Sequence, residues 1–195
     1  MKKILIALGM LLCAAGKTYA ADAADAETFV KQVTHEGIEQ IINADVSVAQ
    51  KDERFEKLFN EYFDLDYIGK FVLGRYWKTA TPTQRDDFIK AYRDFNTKTW
   101  SKRFDEFKGK HFDFHGMTPS NSAGQTFVNT TVDTSDGAPA KVVFRVKEGE
   151  QMKIVDIVIE NVSLAITARN EYTAYIQKAP NGLDDLIKDL QQKTK

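Results

Sequence analysis

Near residue 110 the spacing of apolar residues changes, and that change restricts the fold more than any other feature of the chain. Before it, apolar positions recur every three or four residues, the helical period. "AETFVKQVTHEGIEQIINAD" places Phe29, Val33, Ile38 and Ile41 near one face, and "ERFEKLFNEYF" does the same with Phe55, Leu58, Phe59 and Tyr62. "DLDYIGKFVLG" reads as a third helix, opened by Asp64 as N-cap and ended by Gly74. A longer helix follows, with Thr81 at the N-cap, Pro82 at the first helical position and Gln84 completing a capping box. Phe88, Tyr92, Phe95 and Thr99 continue it at helical spacing, Phe104 and Phe107 extend the aromatic supply, and Gly109 stops it.

Beyond residue 110 the period is two. "QTFVNTTVDT" sets Val128, Thr130 and Val132 on one face, and "AKVVFRVKE" does so with Val142, Phe144 and Val146, with a turn signal "SDGAP" between them. "MKIVDIVIE" supplies Val155, Ile157 and Ile159, and "HFDFH" reads as an earlier strand. Two helices close the chain: "SLAITARNEYTAYIQK", capped by Ser163, and "GLDDLIKDLQQ", with Leu183, Leu186, Ile187 and Leu190 on one side. Pro82, Pro119, Pro139 and Pro180 all fall at element edges. The expectation is an α+β fold: a four-stranded antiparallel sheet with helices over one face.

The first twenty residues stand apart. "MKKILIALGMLLCAAGKTYA" has two lysines, an apolar run from Ile4 to Ala15, and small residues at Thr18 and Ala20. This is the pattern of a cleaved secretory signal, and a run of about twelve residues is short of the roughly twenty that span a bilayer. Residues 21–195 then form one domain. Cleavage removes Cys13, the only cysteine, so neither a disulfide nor a thiol nucleophile remains. It also leaves 24 Lys+Arg against 28 Asp+Glu, a net of −4, which disfavours nucleic acid and anionic surfaces as partners. With no disulfides and a dilysine start, a bacterial periplasm is the expected compartment. A monomer is the expected form.

Catalytic signatures are sparse. Serine elbows, phosphate-cradling glycine loops and HExxH are missing from the sequence. His111, Asp113 and His115 in "HFDFH" share one strand face, but the histidines stand about 13 Å apart, too far to meet on one zinc ion. Asp86-Asp87 and Asp184-Asp185 suit first helical turns, opposing the helix dipole. Asp156 is the one acid inside an apolar strand, and strict alternation sets it opposite Val155 and Ile157.

"FVLGRYWKTATPTQRDDFIKAYRDF", Phe71 to Phe95, carries six aromatic side chains in twenty-five residues. Periodicity alone reads such residues as core. Together with "ENVSLAITARNEYTAYIQK" and "NGLDDLIKDL", however, the stretch resembles the MlaC family, also known as toluene-tolerance proteins. The pattern LGRYW-K-xx-TPxQRxxF spans Leu73 to Phe88, and V-S-x-x-x-T-x-x-N-E-[YW] spans Val162 to Tyr172. The resemblance runs roughly from Glu27 to Leu190. It implies a periplasmic phospholipid carrier with no cofactor and no catalytic residues, whose apolar cavity between sheet and helices takes acyl tails. It implies two partners: an outer-membrane lipoprotein–porin complex and an inner-membrane ABC transporter with a hexameric lipid-channel subunit. A hopanoid-associated branch leaves the cargo lipid open.

On that reading the candidate wall is Phe71, Val72, Phe88, Tyr92, Phe95, Val128, Val132, Val142, Phe144, Val155, Ile157, Ile159, Ile166 and Ile176. Arg75, Tyr76 and Lys78 are the candidates for a headgroup phosphate, being cationic or hydroxyl-bearing beside an apolar run. Two other classes compete. A cavity enzyme of isomerase type needs an acid or histidine inside, for which Asp156 and His115 are the candidates. A periplasmic adaptor or chaperone needs an apolar groove for protein.

Overall fold

The computed structural model describes residues 19–101, 108–134 and 137–194. Residues 1–18 of the expected leader, with Cys13, lie outside the described residues, as do Phe104, Phe107 and Ser135-Asp136 of the expected turn. In chain order the elements are α1 (Tyr19–Glu36), a π turn (Gly37–Ile42), α2 (Val48–Tyr62), α3 (Leu65–Leu73), α4 (Arg75–Thr79) and α5 (Pro82–Ser101). Then come β1 (Phe112–Pro119), β2 (Gln125–Val132), β3 (Ala140–Lys147), β4 (Lys153–Ile159), β5 (Val162–Ser163), α6 (Leu164–Lys178) and α7 (Leu183–Lys193). No described helix is long and apolar enough to cross a membrane.

Helix starts are set by side-chain oxygens that take up otherwise unpaired N–H groups. The Tyr67 N–H donates to Asp64 at 3.0 Å, and Ile166 N–H to Ser163 Oγ at 3.0 Å. At α5, Thr81 and Gln84 form the reciprocal pair: Gln84 N–H donates to Thr81 Oγ1 at 3.2 Å and Thr81 N–H to Gln84 Oε1 at 3.0 Å. A second such box, Ser47 with Gln50, opens α2.

The strands form one antiparallel meander, β1-β2-β3-β4-β5. The expected four strands are all present, and β5 adds a two-residue fifth beside Val158 and Ile159. Val128 stands opposite Phe144, and Phe144 opposite Ile157, so the apolar faces of three strands coincide. The ladder slips twice, between Phe114 and Met117 and between Arg145 and Val146. At the second slip β4 carries an extra residue, and Ile154, Val155 and Asp156 are buried in succession. A bulge of this kind breaks strict alternation.

Helices α1, α3 and α6 pack on the sheet, while α5 crosses α2, α3 and α7. The α5–α6 junction is aromatic. Phe88, fully buried, lies 5.7 Å from Tyr92 and 6.1 Å from Tyr172, and Tyr92 meets Tyr172 edge-on at 6.2 Å. Such edge-to-face pairs add to the area they bury. Three other rings of the 71–95 stretch carry cations on their faces: Arg169 over Phe71, Arg75 over Tyr76 and Arg85 over Trp77.

Between α3 and α4 the chain turns at Gly74, whose φ is +53°. A Cβ there would lie 2.9–3.1 Å from the Arg169 guanidinium, so both conformation and space require glycine. Gly74→Ala is expected to cost about 1–3 kcal/mol in urea unfolding. Gly109→Ala, also at positive φ but with open space around it, should cost less than half as much. Equal losses at the two sites would show that the Arg169 approach contributes nothing.

Candidate functional site

Between the sheet and the helices lies a cavity of about 250 Å³. Its floor is sheet: Phe112, Val142, Phe144, Val155, Ile157 and Ile159. One wall comes from Val33 and Thr34 of α1, from Gly37, Ile38 and Ile42 of the π turn, and from Phe55, Leu58 and Phe59 of α2. The other comes from Tyr92, Asn96 and Trp100, one turn apart on α5, and from Leu164, Ala165 and Ala168 of α6. Phe63 and Ile68 complete the lining.

Rings brace one another around this space. Phe55 and Phe59 stack at 5.5 Å, Phe59 meets Phe63 at 4.5 Å, and Phe112 tilts against Phe144 at 6.2 Å.

Besides the Tyr92 hydroxyl and the Trp100 indole, three polar side chains border the cavity, and each makes a hydrogen bond within the protein. Thr34 Oγ1 donates to the Val30 carbonyl at 2.9 Å, and the Asn96 amide donates to the Tyr92 carbonyl at 2.7 Å. Asp156 is the most committed. Its Oδ2 accepts from Ser163 Oγ at 2.6 Å, its Oδ1 accepts from Ala165 N–H at 3.0 Å, and Arg145 stands 3.7 Å away. Only 1% of the Asp156 side chain is exposed. Its charge thus sits at the positive end of α6 and holds that helix to β4. Asp156 pairs with Arg145 and Ile157 with Phe144, so the two keep to opposite faces of β4 as alternation requires, and Asp156 meets the cavity at its edge beside Ala165.

A general acid or base needs a free lone pair or proton facing its substrate. Each oxygen of Asp156 accepts a hydrogen bond from the start of α6. His115 is exposed and engages Thr131 at 2.9 Å. Among the described residues no three His, Cys, Asp or Glu side chains gather as metal ligands.

Of the candidate wall residues, Tyr92, Val142, Phe144, Val155, Ile157 and Ile159 border the cavity. Val72, Phe88 and Val128 are fully buried in solid core, and Val132 and Ile176 are buried away from the hollow. Phe71 and Phe95 are half-buried off the lining, and Ile166 is 46% exposed. Arg75 and Lys78 are exposed on α4 with Tyr76 half-buried beside them, and none of the three borders the cavity. The sequence reading omitted α1, the π turn and α2 from the wall. Their apolar stripes say which face turns inward, but the same stripe covers a filled or a hollow interior.

Residues 28–192 match the family model described as MlaC protein. Over 137 residues the chain is 23% identical to the intermembrane phospholipid transport system binding protein MlaC of Haemophilus influenzae, covering 67% of this chain. The chain thus spans 62%, less than two thirds, of that relative's length. A phospholipid-binding protein from Ralstonia solanacearum, solved in complex with a phospholipid, shares the fold with a TM-score of 0.74 at 19% identity. That match covers 87% of this chain and 96% of the other.

Removing the Asp156 carboxylate should loosen the α6 start. Asp156→Ala is expected to lower unfolding stability by about 1–3 kcal/mol, because the Ser163 and Ala165 donors lose their acceptor. Stability unchanged within error in urea melts would sink that role. Alkali gives a second test. Burial, followed by the hydrogen bond to Glu36, pushes Tyr62 from 10.0 up to about 12. Burial also raises Tyr92 and Tyr172. Folding therefore favours the protonated phenols. Their contribution is present below pH 10 and lost as pH rises towards about 12, where the unfolded chain has released protons the folded one keeps. Urea midpoints measured across that window should fall, and less steeply in Tyr62→Phe.

Proposed function

This chain belongs to the MlaC family, and from that premise we propose that it carries phospholipid, with acyl tails held in the cavity between sheet and helices. One observation carries the reading: the hollow is lined overwhelmingly by apolar atoms, and the Thr34, Asn96 and Asp156 side chains that border it make hydrogen bonds within the protein. Such a space suits hydrocarbon. The phospholipid bound by the Ralstonia relative and the transport role named for the Haemophilus one support it.

The energetics fit a carrier. Exposing an alkyl chain costs about 0.8 kcal/mol per CH₂, so two tails totalling about thirty methylenes would cost roughly 24 kcal/mol in water. Spontaneous crossing of an aqueous compartment is then very slow. A carrier needs no tighter grip than a bilayer has; it needs a comparably apolar interior that moves. In the proposed setting, the periplasm, it exchanges lipid with an outer-membrane lipoprotein–porin complex and with an inner-membrane ABC transporter bearing a hexameric lipid channel. That traffic would maintain outer-membrane lipid asymmetry, and the carrier itself does no covalent chemistry.

Val142 and Ile157 lie on the cavity floor, opposite Ile159 and Phe144 in the β3–β4 ladder. Val142→Trp or Ile157→Trp should fill the space and lower co-purified lipid severalfold by native mass spectrometry while the circular dichroism is kept. Unchanged occupancy would show that tails lie elsewhere. Wild-type protein isolated from cells without any lipid would end the carrier reading.

A further inference from the structure

One segment of the cavity wall is neither α-helix nor strand. Gly37–Ile42 continues α1 as a π turn, in which the Asn43 N–H donates to the Ile38 carbonyl, five residues back, at 2.8 Å. A π turn holds one residue more than the α turn it replaces, and such turns are rare outside functional sites. Here three of the six residues, Gly37, Ile38 and Ile42, border the cavity, and Ile41 and Ile42 are buried.

The ends of the turn are tied by side chains. On one side the Tyr62 hydroxyl donates to Glu36 at 2.7 Å, and the Gln32 amide donates to Glu36 at 3.0 Å. On the other, Arg54 of α2 donates to the Gln40 carbonyl at 2.7 Å and Lys51 to the Ile42 carbonyl at 3.1 Å. These are among the last carbonyls of the helix, which have no backbone N–H partner of their own. Long, flexible side chains occupy them here, and they can follow a carbonyl that moves.

We propose that the π turn at Gly37–Ile42 is the adjustable part of the cavity wall, shifting its surplus residue along the helix to make room for cargo. The proposal rests on the carrier reading. When the surplus residue passes a position, the side chain there turns by about 100°. One isoleucine leaves the hollow and α1 and α2 keep their own hydrogen bonds. Room is needed: about 250 Å³ is less than the roughly 300–1,000 Å³ of ligand pockets in general. The other walls are strands in a paired ladder and regular helices, which cannot change register without breaking many bonds at once.

Deletion of the exposed Glu39 tests this. It removes the surplus residue and leaves the segments before and after it in phase, so a folded protein with a continuous α register is expected. The probe is exchange of lipid between the full chain and phosphatidylethanolamine–phosphatidylglycerol vesicles carrying a trace of fluorescent phosphatidylethanolamine. Exchange should slow by about tenfold or more in the deletion variant. Equal rates for two folded, lipid-loaded proteins would overturn the adjustable wall and leave the carrier intact. Two folded proteins that take up no lipid would overturn the carrier reading and this proposal with it. Should the deletion prevent folding, hydrogen exchange of the wild type decides. The amides of Ile41, Ile42 and Asn43 should exchange faster in delipidated than in loaded protein, with those of α5 unchanged; equal protection in both forms refutes the proposal.

Discussion

Space left empty inside a protein forfeits contacts on every side of it. A hollow of about 250 Å³ forfeits such contacts along its apolar lining. The remaining structure has to withstand that loss whenever the hollow is unfilled. It does so with solid packing immediately behind the walls. Phe88, Tyr92 and Tyr172 lock α5 to α6, and Val72, Leu73 and Val128 are fully buried nearby. Asp156 pins the start of α6 to β4 with two hydrogen bonds from that start. On the proposed carrier reading, cargo would return the missing contacts, so that loading and folding reinforce each other.

The parts of this architecture that follow from local chemistry were legible in the sequence. The switch of period near residue 110 implies helices followed by a meander, and the caps at Asp64, Thr81 and Ser163 are formed by the expected side chains. What depends on a mismatch between elements was not legible. The one-residue slip between Arg145 and Val146, at which Ile154, Val155 and Asp156 are buried in succession, is contained in no alternation rule. The residues of the π turn, "GIEQII", have ordinary helical spacing, and nothing in their pattern marks the extra residue. Half of the aromatic stretch that suggested a cavity serves other ends, with rings lying under arginines on the outer side of α3 and α4.

Two of the three polar side chains at the wall, Thr34 and Asn96, satisfy backbone carbonyls of their own helices. This choice of partner has a consequence for a guest. A polar group left open in so apolar a space would demand a matching partner at one point along the chain, and a cost of a few kcal/mol would fall on every lipid lacking it. With those groups turned to the backbone, the wall makes no such demand, and chains of differing length and unsaturation meet the same surface.

On the proposed readings, rigid rings and an adjustable turn would solve opposite halves of a carrier's problem. Phe55, Phe59, Phe63, Phe112 and Phe144 have few rotamers and brace one another, so the hollow does not collapse when cargo leaves. A wall of such rings alone would also be poor at opening, because interiors packed to crystal density deform in discrete steps rather than continuously. A π turn supplies one such step at the cost of exchanging neighbouring hydrogen bonds rather than breaking a layer of packing. Its position opposite the sheet, between two helices whose side chains hold its ends, lets that step act on the hollow and on little else. The stiffness that preserves the space and the freedom that fills it are therefore housed in different elements.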